Sequence, residues 1–394
     1  MDYHLAPSEL VLPRVQRIHY GEKVVDSHLP DIAAAMMQRP FLLSTGSLEA
    51  NGLLADVQAV MGDALVGCFA GSKAHNPQEA VLAGAYAARA AGADGLIVFG
   101  GSSVVDMAKS VAMVLAEGDD LQAMRIRFSP ETGAVVPPLN KPKVPQIVVP
   151  TTLSGSEYTA FMAITDRAVG EKLMFGDPKL AAQVVFQDPH YCMATPDRLW
   201  AGTGMKILAD TLEMLGSKRA RPMTNLYALE GLKIIADNLP QSLGDTASLK
   251  GRQILHYGAY MAMSMGFNAS LGLVAGIRHQ VGAGKGVAHG EASTIVLPHV
   301  LGWNKLHAEA AYAKAARALD LKGSSDAALA DALIAHVEEM MAQCGLPTRL
   351  RDVGVGAEDL PAIAAHVVGD PSIAFNPRPV TQADEVMQML EAAY

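Results

Sequence analysis

Two charged residues, Lys206 and Asp210, stand in the stretch GMKILADTLE at residues 204–213. On a helix they would lie one turn apart on the same face. A lysine in a cleft could supply a fixed positive charge, or its amine could act as a base or Schiff-base nucleophile if its pKa falls. The two residues could equally form an ordinary surface ion pair, which contributes about a few tenths of a kcal/mol.

A glycine-rich turn, GLIVFGGSSVVDMAK, places Gly100, Gly101, Ser102 and Ser103 between a predicted strand and a predicted helix. Glycines let the backbone approach a ligand closely, and the N–H groups at a helix N-terminus attract phosphate. The spacing is not Gly-x-Gly-x-x-Gly, so the turn alone is explained equally well as a tight strand-to-helix connection.

Two further segments carry polar side chains. PTTLSGSEYT, residues 150–159, supplies the hydroxyls of Thr151, Thr152, Ser154 and Ser156 after a predicted strand. The segment at 272–293, GLVAGIRHQVGAGKGVAHGEAS, contains His279 and His289 with the cations Arg278 and Lys285 nearby. These cations would suit an acidic substrate or simply a solvated loop, and the histidines could also be hydrogen-bonded core residues.

The elements that must position these residues fall into two halves. Short apolar runs at 40–45, 64–69, 95–100 and 145–150, with a helical pattern at 78–92, predict a parallel α/β sheet of the Rossmann-like kind. Residues 117–144 are interpreted as a surface excursion and residues 160–188 as a hairpin. Beyond residue 190 the strand signals vanish. We therefore predict an α/β dinucleotide-binding domain (1–190) and an all-helical catalytic domain (191–394), with the active site in the cleft between them.

The composition excludes several classes of protein. The net charge of −9 over 394 residues and the lack of a basic run argue against nucleic-acid binding. Three well-separated cysteines predict no disulfide framework and suit a reducing, cytoplasmic setting. No apolar run reaches the roughly 18 residues of a membrane span, and the N-terminus has no signal-peptide pattern.

Several of these motifs, in this order, resemble the iron-containing alcohol dehydrogenase family of the dehydroquinate synthase-like superfamily. GGSSVVDMAK is similar to the family's GGGSxxDxAK signature, with Ser102 replacing the third glycine and with Asp106 and Lys109 at matching positions. The short LSGSE form, the segment NPRPV and the terminal AAY resemble the maleylacetate reductase branch.

The resemblance implies a cofactor and a place for it. The turn at 100–103 would bind the pyrophosphate of NAD(P), Asp106 would border the nicotinamide, and the hydroxyls of residues 151–156 would surround the cofactor. NAD-preferring members often end the second strand on an Asp, whereas LLSTGSLE places Thr45 there. We therefore expect NAD(H) or NADP(H), with neither excluded. Lys172 could reach the cofactor or be solvated. We also expect a homodimer or a higher homo-oligomer.

The family's metal ligands are largely replaced in this chain. The family binds its catalytic metal with an Asp, a His one turn later, a third His and a fourth in a PHG motif. The matching positions here hold Lys206, Asp210, Ala275 and His289, while His279 matches a histidine beside the substrate. One Asp and one His make a poor site, so we expect no tightly bound metal.

The leading hypothesis is an NAD(P)H-dependent reductase or dehydrogenase of a small carbonyl or alcohol, which could carry carboxylates as in the maleylacetate reductases. Lys206, held by Asp210, would stabilise the developing alkoxide in place of a metal, and His279 or His289 would pass the proton. The alternatives are a non-redox lyase or cyclase, or a Schiff-base enzyme using Lys206, or a cofactor-binding homologue without catalysis.

Overall fold

A computed structural model describes residue 10 and residues 15–129, 133–168, 171–264 and 266–394. Strands and helices alternate as far as residue 187, and helices alone follow. The strands are β1 (Arg17–Tyr20), β2 (Pro40–Thr45), β3 (Gly67–Ser72), β4 (Gly95–Gly100), β5 (Arg127–Ser129), β6 (Gly133–Val135), β7 (Gln146–Pro150), β8 (Phe161–Asp166), β9 (Glu171–Gly176) and β10 (Val184–Gln187).

Six of these strands form one parallel sheet in the order β1-β10-β7-β4-β2-β3. Its central strands β4 and β7 are buried along their whole length, which explains why they are continuous apolar runs without alternation. β8 and β9 form a separate antiparallel hairpin, and so do β5 and β6. The carboxyl ends of β4 and β7, at Gly100 and Pro150, therefore lie side by side.

The helices pack on the sheet and then on one another. Those of the first half are α1 (Val24–Met36), α2 (Gly46–Ala50), α3 (Leu53–Met61), α4 (Gln78–Ala90), α5 (Ser102–Glu117) and α6 (Leu121–Met124). Those of the second half are α7 (Asp197–Gly216), α8 (Pro222–Asn238), α9 (Leu249–Met263), α10 (Leu273–Lys285), α11 (His289–Ala318), α12 (Asp326–Gln343), α13 (Leu360–Val367) and α14 (Ala383–Ala392).

Helix α7 runs through the centre of the helical half. It is buried on nearly every side, as expected of a helix that is apolar all round. A side chain on Gly290 would place its Cβ 2.5 Å from the carbonyl carbon of Gly202, so α11 starts in backbone contact with α7. This contact brings the first residue of α11, His289, beside the face of α7 that carries Lys206.

The predicted α/β sheet and the helical second half are confirmed, with local corrections. The strands at 40–45 and 95–100 match β2 and β4, but the strand predicted at 64–69 lies at Gly67–Ser72 because residues 62–64 form a helical turn first. The excursion at 117–144 contains α6 and the β5–β6 hairpin.

The interpretation of 160–188 as a hairpin was wrong for its last part, and one strand was missed. Only β8 and β9 form the hairpin, whereas β10 enters the main sheet between β1 and β7. The short strand β1 at the sheet edge was not predicted. The boundary near residue 190 falls between β10 and α7, and the division into two domains remains our prediction. No helix in the described ranges is long and apolar enough to cross a membrane.

Candidate active site

The glycine turn and the hydroxyl loop meet at the carboxyl end of the sheet. Gly100 ends β4 with a φ of +148°, which favours glycine, and Gly101 immediately precedes α5. A Cβ on Gly101 would lie 2.9 Å from the Cγ2 atom of Thr152, so a side chain there would crowd the neighbouring loop. The N–H of Thr151 donates to the carbonyl of Gly100 at 3.2 Å. The structure therefore brings together the two predicted cofactor segments.

Asp106 is held in a fixed orientation by the hydroxyl loop. The hydroxyl of Ser156 donates to Oδ1 of Asp106 at 2.6 Å. The ammonium of Lys109, whose side chain is fully buried, donates to the carbonyls of Ser156 at 2.7 Å and Phe161 at 2.9 Å, and lies 3.6 Å from Asp106. The buried Lys109 therefore connects helix α5 to the hydroxyl loop, and Asp106 remains at the surface of the cleft.

A cavity of about 420 Å³ opens between the sheet edge and the helices α7 and α11. Four of the predicted site residues line it: Ser102, Ser103, Asp106 and His289. His75, Lys172, and Gly202 and Thr203 of α7 are among the other residues that line it. The remaining cofactor-loop residues, Gly100, Gly101, Thr151, Thr152, Ser154 and Ser156, lie in the two loops that support this wall.

A buried cluster of two cations and one carboxylate forms around Asp210, one of the positions at which the resemblance implies a metal ligand. The Nζ atom of Lys206 lies 2.7 Å from Oδ2 of Asp210, and Nη1 of Arg278 lies 2.5 Å from Oδ1. The side chains of Asp210 and Arg278 are 1% and 3% exposed. Burial raises the pKa of Asp210, but the charges of Arg278 and Lys206 outweigh it and hold this pKa below its ordinary value. The surface-pair interpretation was therefore wrong.

Arg278 lies beside Asp210 because the start of α10 is hydrogen-bonded to α7. The N–H groups of Val274 and Ala275 donate to the carboxylate of Glu213 at 2.6 and 3.2 Å, so Glu213 of α7 caps α10. The solvated-loop interpretation was wrong for Arg278, which is buried. The side chain of Lys285, in contrast, is 35% exposed and forms an ion pair with Asp359 at 2.7 Å.

Lys206 lies just behind the cavity wall. It stands one turn along α7 from Thr203, which lines the cavity, and its own side chain is 15% exposed. Its ammonium also donates to the carbonyl of Ser154 at 3.1 Å, which links α7 to the hydroxyl loop. The lysine is therefore held by both halves of the chain.

Lys172 forms part of the cavity wall and contacts His289. The distance from its Nζ to Nε2 of His289 is 2.9 Å, and burial lowers the pKa of Lys172 to about 8. Burial, followed by the charges of Lys172 and Arg278, holds the pKa of His289 well below its ordinary value. Burial and these charges therefore disfavour a proton on both ring nitrogens of His289, and its Nε2 lies within hydrogen-bond distance of the Lys172 amine. His75, 5.3 Å from His289 between ring centroids, was missed by the sequence analysis.

The other predicted histidine, His279, lies deeper. Its Nδ1 is 3.0 Å from Oδ2 of Asp370, and only 8% of the residue is exposed. Burial lowers its pKa and outweighs the opposing charge of Asp370. Its ring centroid lies 6.2 Å from that of His289. His279 therefore has the surroundings of a hydrogen-bonded core histidine, which was the alternative to a catalytic role. Its partner Asp370 was not predicted from the sequence.

The residues at the positions where the resemblance implies metal ligands do not form a donor set for a divalent cation. Both oxygens of Asp210 face cations, Ala275 offers no donor atom, and Nε2 of His289 faces the ammonium of Lys172. Within the described ranges, no group of three His, Cys, Asp or Glu side chains could hold a metal ion. Zinc and iron sites need several deprotonated donors that converge on one point.

Known proteins resemble this chain along its whole length. The family model described as iron-containing alcohol dehydrogenase matches residues 15–189, and the C-terminal model of the same family matches residues 200–394. An NAD-dependent methanol dehydrogenase of Bacillus methanolicus is 32% identical over 303 residues, covering 76% of this chain and 77% of that protein.

Two further proteins match nearly all of the chain. A maleylacetate reductase of Burkholderia cepacia is 27% identical over 381 residues, covering 97% of this chain and 96% of that protein. The crystal structure of a 1,3-propanediol oxidoreductase superimposes with a TM-score of 0.88 at 25% identity, covering 98% and 99% of the two chains.

The parallel sheet followed by a helical second half is the fold of the solved 1,3-propanediol oxidoreductase, and the curated relatives are dehydrogenases and reductases. The chain belongs to the iron-containing alcohol dehydrogenase family and is an oxidoreductase.

Proposed function

We propose that this protein is an NAD(P)H-dependent reductase or dehydrogenase of a small carbonyl or alcohol compound, and that it works without a catalytic metal. The observation that carries the proposal is the ion-pair cluster of Lys206, Asp210 and Arg278. It would provide positive charge where the family uses a metal, and both oxygens of its carboxylate face cations of the chain.

The cofactor-binding part of the proposal rests on the two loops at the sheet edge. The backbone N–H groups at the start of α5 and the hydroxyls of Ser102 and Ser103 would hold the pyrophosphate, and Asp106 would border the nicotinamide. When bound, NAD(P)H supplies a hydride to the carbonyl carbon. β2 ends on Thr45, whose side chain accepts a hydrogen bond from the N–H of Leu48, so no carboxylate at that position repels a 2′-phosphate.

The chemical step needs stabilisation of the oxygen that becomes an alkoxide. We assign this to the ammonium of Lys206, which lies 2.7 Å from Asp210 and donates to the carbonyl of Ser154. The proton for the alkoxide would come from the Lys172–His289 pair, which lines the cavity. His279, hydrogen-bonded to Asp370, would pack beside His289 and help to hold its ring in position.

The Schiff-base alternative has no observation in its favour at Lys206. A lysine that forms a Schiff base must present its amine to the substrate carbonyl, whereas Nζ of Lys206 lies 2.7 Å from the carboxylate of Asp210 and behind the cavity wall. The relatives, which are dehydrogenases and reductases, also support hydride transfer over elimination.

The test is consumption of NADH or NADPH by the chelator-treated protein with a panel of aldehydes, oxo acids and maleylacetate. We expect one compound class to be reduced with one equivalent of cofactor oxidised per product formed. Tight cofactor binding without cofactor oxidation by any compound, combined with product formation of another kind, would contradict hydride transfer.

A further inference from the structure

Helix α10 begins at a glycine, so its first residue has no side chain that could cap it. Gly272 stands at the N-cap, and the N–H groups of the first turn of a helix have no partner within the helix. Here these groups are hydrogen-bonded by side chains from distant parts of the chain. Because α10 carries Ala275, Arg278 and His279, the acceptors that hold its first turn also decide where three site positions lie.

The carboxylate of Glu213, on α7, accepts most of the N–H groups of this turn. It receives those of Val274 at 2.6 Å and of Ala275 at 3.2 Å, and the backbone of Gly272 also hydrogen-bonds to it. A negative charge at the N-terminus of a helix is further stabilised by the helix dipole. Both oxygens of Glu213 are therefore engaged in holding α10.

The side-chain amide of Asn376 accepts the remaining N–H of the turn, that of Leu273, at 3.2 Å. Asn376 is the first residue of the segment NPRPV, and it exchanges two hydrogen bonds, at 3.2 and 2.8 Å, with the side-chain amide of Asn304 on α11. A Cβ on Gly272 would lie 2.6 Å from Oδ1 of Asn376 and 2.9 Å from Oε1 of Glu213. The two acceptors therefore fit around the start of α10 because residue 272 is a glycine.

A short segment that ends on Asn376, residues 370–376, connects α10 to α7 at further points. Oδ2 of Asp370 lies 3.0 Å from Nδ1 of His279 on α10. The carbonyl of Phe375 accepts the N–H of Lys218, just beyond the end of α7, at 3.0 Å. The segment thus fixes α10 relative to α7 both at its start and in its middle.

The position of Arg278 depends on this first turn. Arg278 follows Val274 by four residues, one turn further along α10, and its guanidinium lies 2.5 Å from Oδ1 of Asp210. Lys206 contacts the other oxygen of the same carboxylate. If Arg278 moved away, Asp210 would neutralise Lys206 alone, and the cluster would lose its net positive charge.

We propose that Glu213 and Asn376 are positioning residues of the active site, which hold the first turn of α10 so that Arg278 stays on Asp210 and Lys206 keeps its charge for the substrate. The effect on turnover rests on the proposed function, whereas the hold on α10 does not depend on hydride transfer. The proposal also gives the start of the NPRPV segment a role, although this segment lies outside the cavity wall.

The experiment uses Glu213→Gln and Asn376→Ala in the whole protein, each alone and combined with Lys206→Met. Glu213→Gln keeps the size of the side chain but removes its charge and one acceptor. Burial raises the pKa of Glu213 to about 7, so the measurements are made at pH 8, where the carboxylate predominates. Glu385→Gln is the matched control, because the carboxylate of Glu385 accepts two backbone N–H groups, at 2.8 and 3.0 Å, at the start of α14, which carries none of the proposed site residues.

Two quantities are measured, the amide hydrogen exchange of residues 272–280 by mass spectrometry and kcat with the Kd of NADH. We expect exchange in this segment to become faster by about tenfold or more in both variants but not in Glu385→Gln. kcat should fall by about 10- to 100-fold while the Kd of NADH stays unchanged, since a small misplacement beside the reacting atoms is costly. In the Lys206→Met background the same substitutions should lower kcat by less than about twofold, because the charge that they position is already gone.

Unaltered exchange of residues 272–280 in both variants would overturn the hold on α10. Equal fractional losses of kcat with and without Lys206 would overturn the positioning role, because a general structural effect does not depend on that lysine. Gly272→Ala, which places a Cβ between the two acceptors, should reproduce the faster exchange and takes the place of a variant that fails to fold. Failure of the proposed function looks different, since exchange would still become faster although the unmodified protein reduces no carbonyl compound.

Discussion

The guanidinium of Arg278 lies 2.5 Å from Oδ1 of Asp210 and also donates to the hydroxyl of Ser293 at 3.1 Å. Arg278 comes from α10 and Asp210 from α7, and the two residues are 68 positions apart in sequence. With Lys206 on the other oxygen, the carboxylate neutralises one cation and leaves a net positive charge in the cluster. The small side chain of Ala275, on the same helix as Arg278, contributes no competing donor atom.

Replacing Lys206 with methionine should remove most of the turnover while leaving NAD(P)H affinity nearly intact. The charge proposed to stabilise the alkoxide is lost, whereas the glycine turn proposed to bind phosphate lies at the sheet edge. We expect turnover to fall by about 10²- to 10³-fold, as for loss of one oxyanion-hole donor. The measurement is kcat with a substrate from the carbonyl panel, together with the Kd of NADH from fluorescence titration.

Lys233→Met is the matched control for this substitution. Lys233 and Asp237 form an ion pair at the same four-residue spacing on α8, 3.2 Å apart, but their side chains are 40% and 52% exposed. The control should keep full turnover. Normal turnover in Lys206→Met would end the proposed role of Lys206, and a borohydride-trapped adduct on Lys206 would favour the Schiff-base alternative.

The pyrophosphate site is tested by two substitutions of one glycine. Gly101→Asp should abolish NAD(P)H binding, because a carboxylate at the N-terminus of α5 repels the phosphates. Gly101→Ala introduces the same Cβ beside Thr152, 2.9 Å from its Cγ2, without the charge. We expect the alanine variant to weaken binding less than the aspartate variant in fluorescence titrations with NADH and NADPH. Unaltered binding in Gly101→Asp would refute the assignment.

Much of the fold could be predicted from the sequence because local patterns specify it. β4 is a continuous apolar run that ends at a glycine turn, and both its limits were predicted. β1 was missed because four residues at a sheet edge, half-exposed, carry no clear periodicity. β10 was included in a hairpin because its run follows β9 closely, and a sequence does not state which sheet a strand joins.

The site could be predicted only where a motif carried it. The Lys206–Asp210 pair follows from helical spacing, but its burial and its third partner, Arg278, depend on how α10 packs against α7. The role of Lys172 was left open because its side chain faces the cavity from β9, and the sequence does not show which face of that strand is covered. His75 lies in a loop with a φ of +62°, with no motif to mark it.

Restoring the family's donors should create a metal site. A variant combining Lys206→Asp, Asp210→His, Ala275→His and Arg278→Ala supplies three donors beside His289 and removes the guanidinium. We expect it to bind about one Zn²⁺ per chain, since three or four converging donors suit zinc. The single substitution Ala275→His is the control and should bind none. Elemental analysis after dialysis measures both, and an absence of zinc from the folded fourfold variant would show that these residues do not converge.

The pH dependence of the protein's thermal stability should reveal the raised pKa of Glu157. Both of its carboxylate oxygens are buried without a hydrogen-bond partner, and burial raises its pKa to about 7. The folded protein therefore binds more protons than the unfolded chain between about pH 4.5 and 7, so this group makes stability fall as pH rises through that window. Glu157→Gln imitates the protonated form and should raise Tm at pH 8 by a few degrees, but hardly at pH 4.5.

Glu117→Gln provides a control of opposite sign for the same thermal measurement. Hydrogen bonding to Lys143 lowers the pKa of Glu117, so its stabilising contribution is present near neutral pH and lost as pH falls through the folded pKa. The control should lower Tm at pH 8 more than at pH 4. If Glu157→Gln gave the same change in Tm at pH 4.5 and pH 8, the raised pKa would be refuted.

The central claim, that ion-paired cations replace the family's metal, is tested most directly by metal content and activity measured on one preparation. The protein is dialysed against EDTA, its iron and zinc are determined by elemental analysis, and the rate of NAD(P)H oxidation is compared before and after. We expect far less than one metal ion per chain throughout and an unchanged rate. One iron or zinc per chain before dialysis, with activity lost on its removal and regained on its return, would show instead that the enzyme depends on a metal.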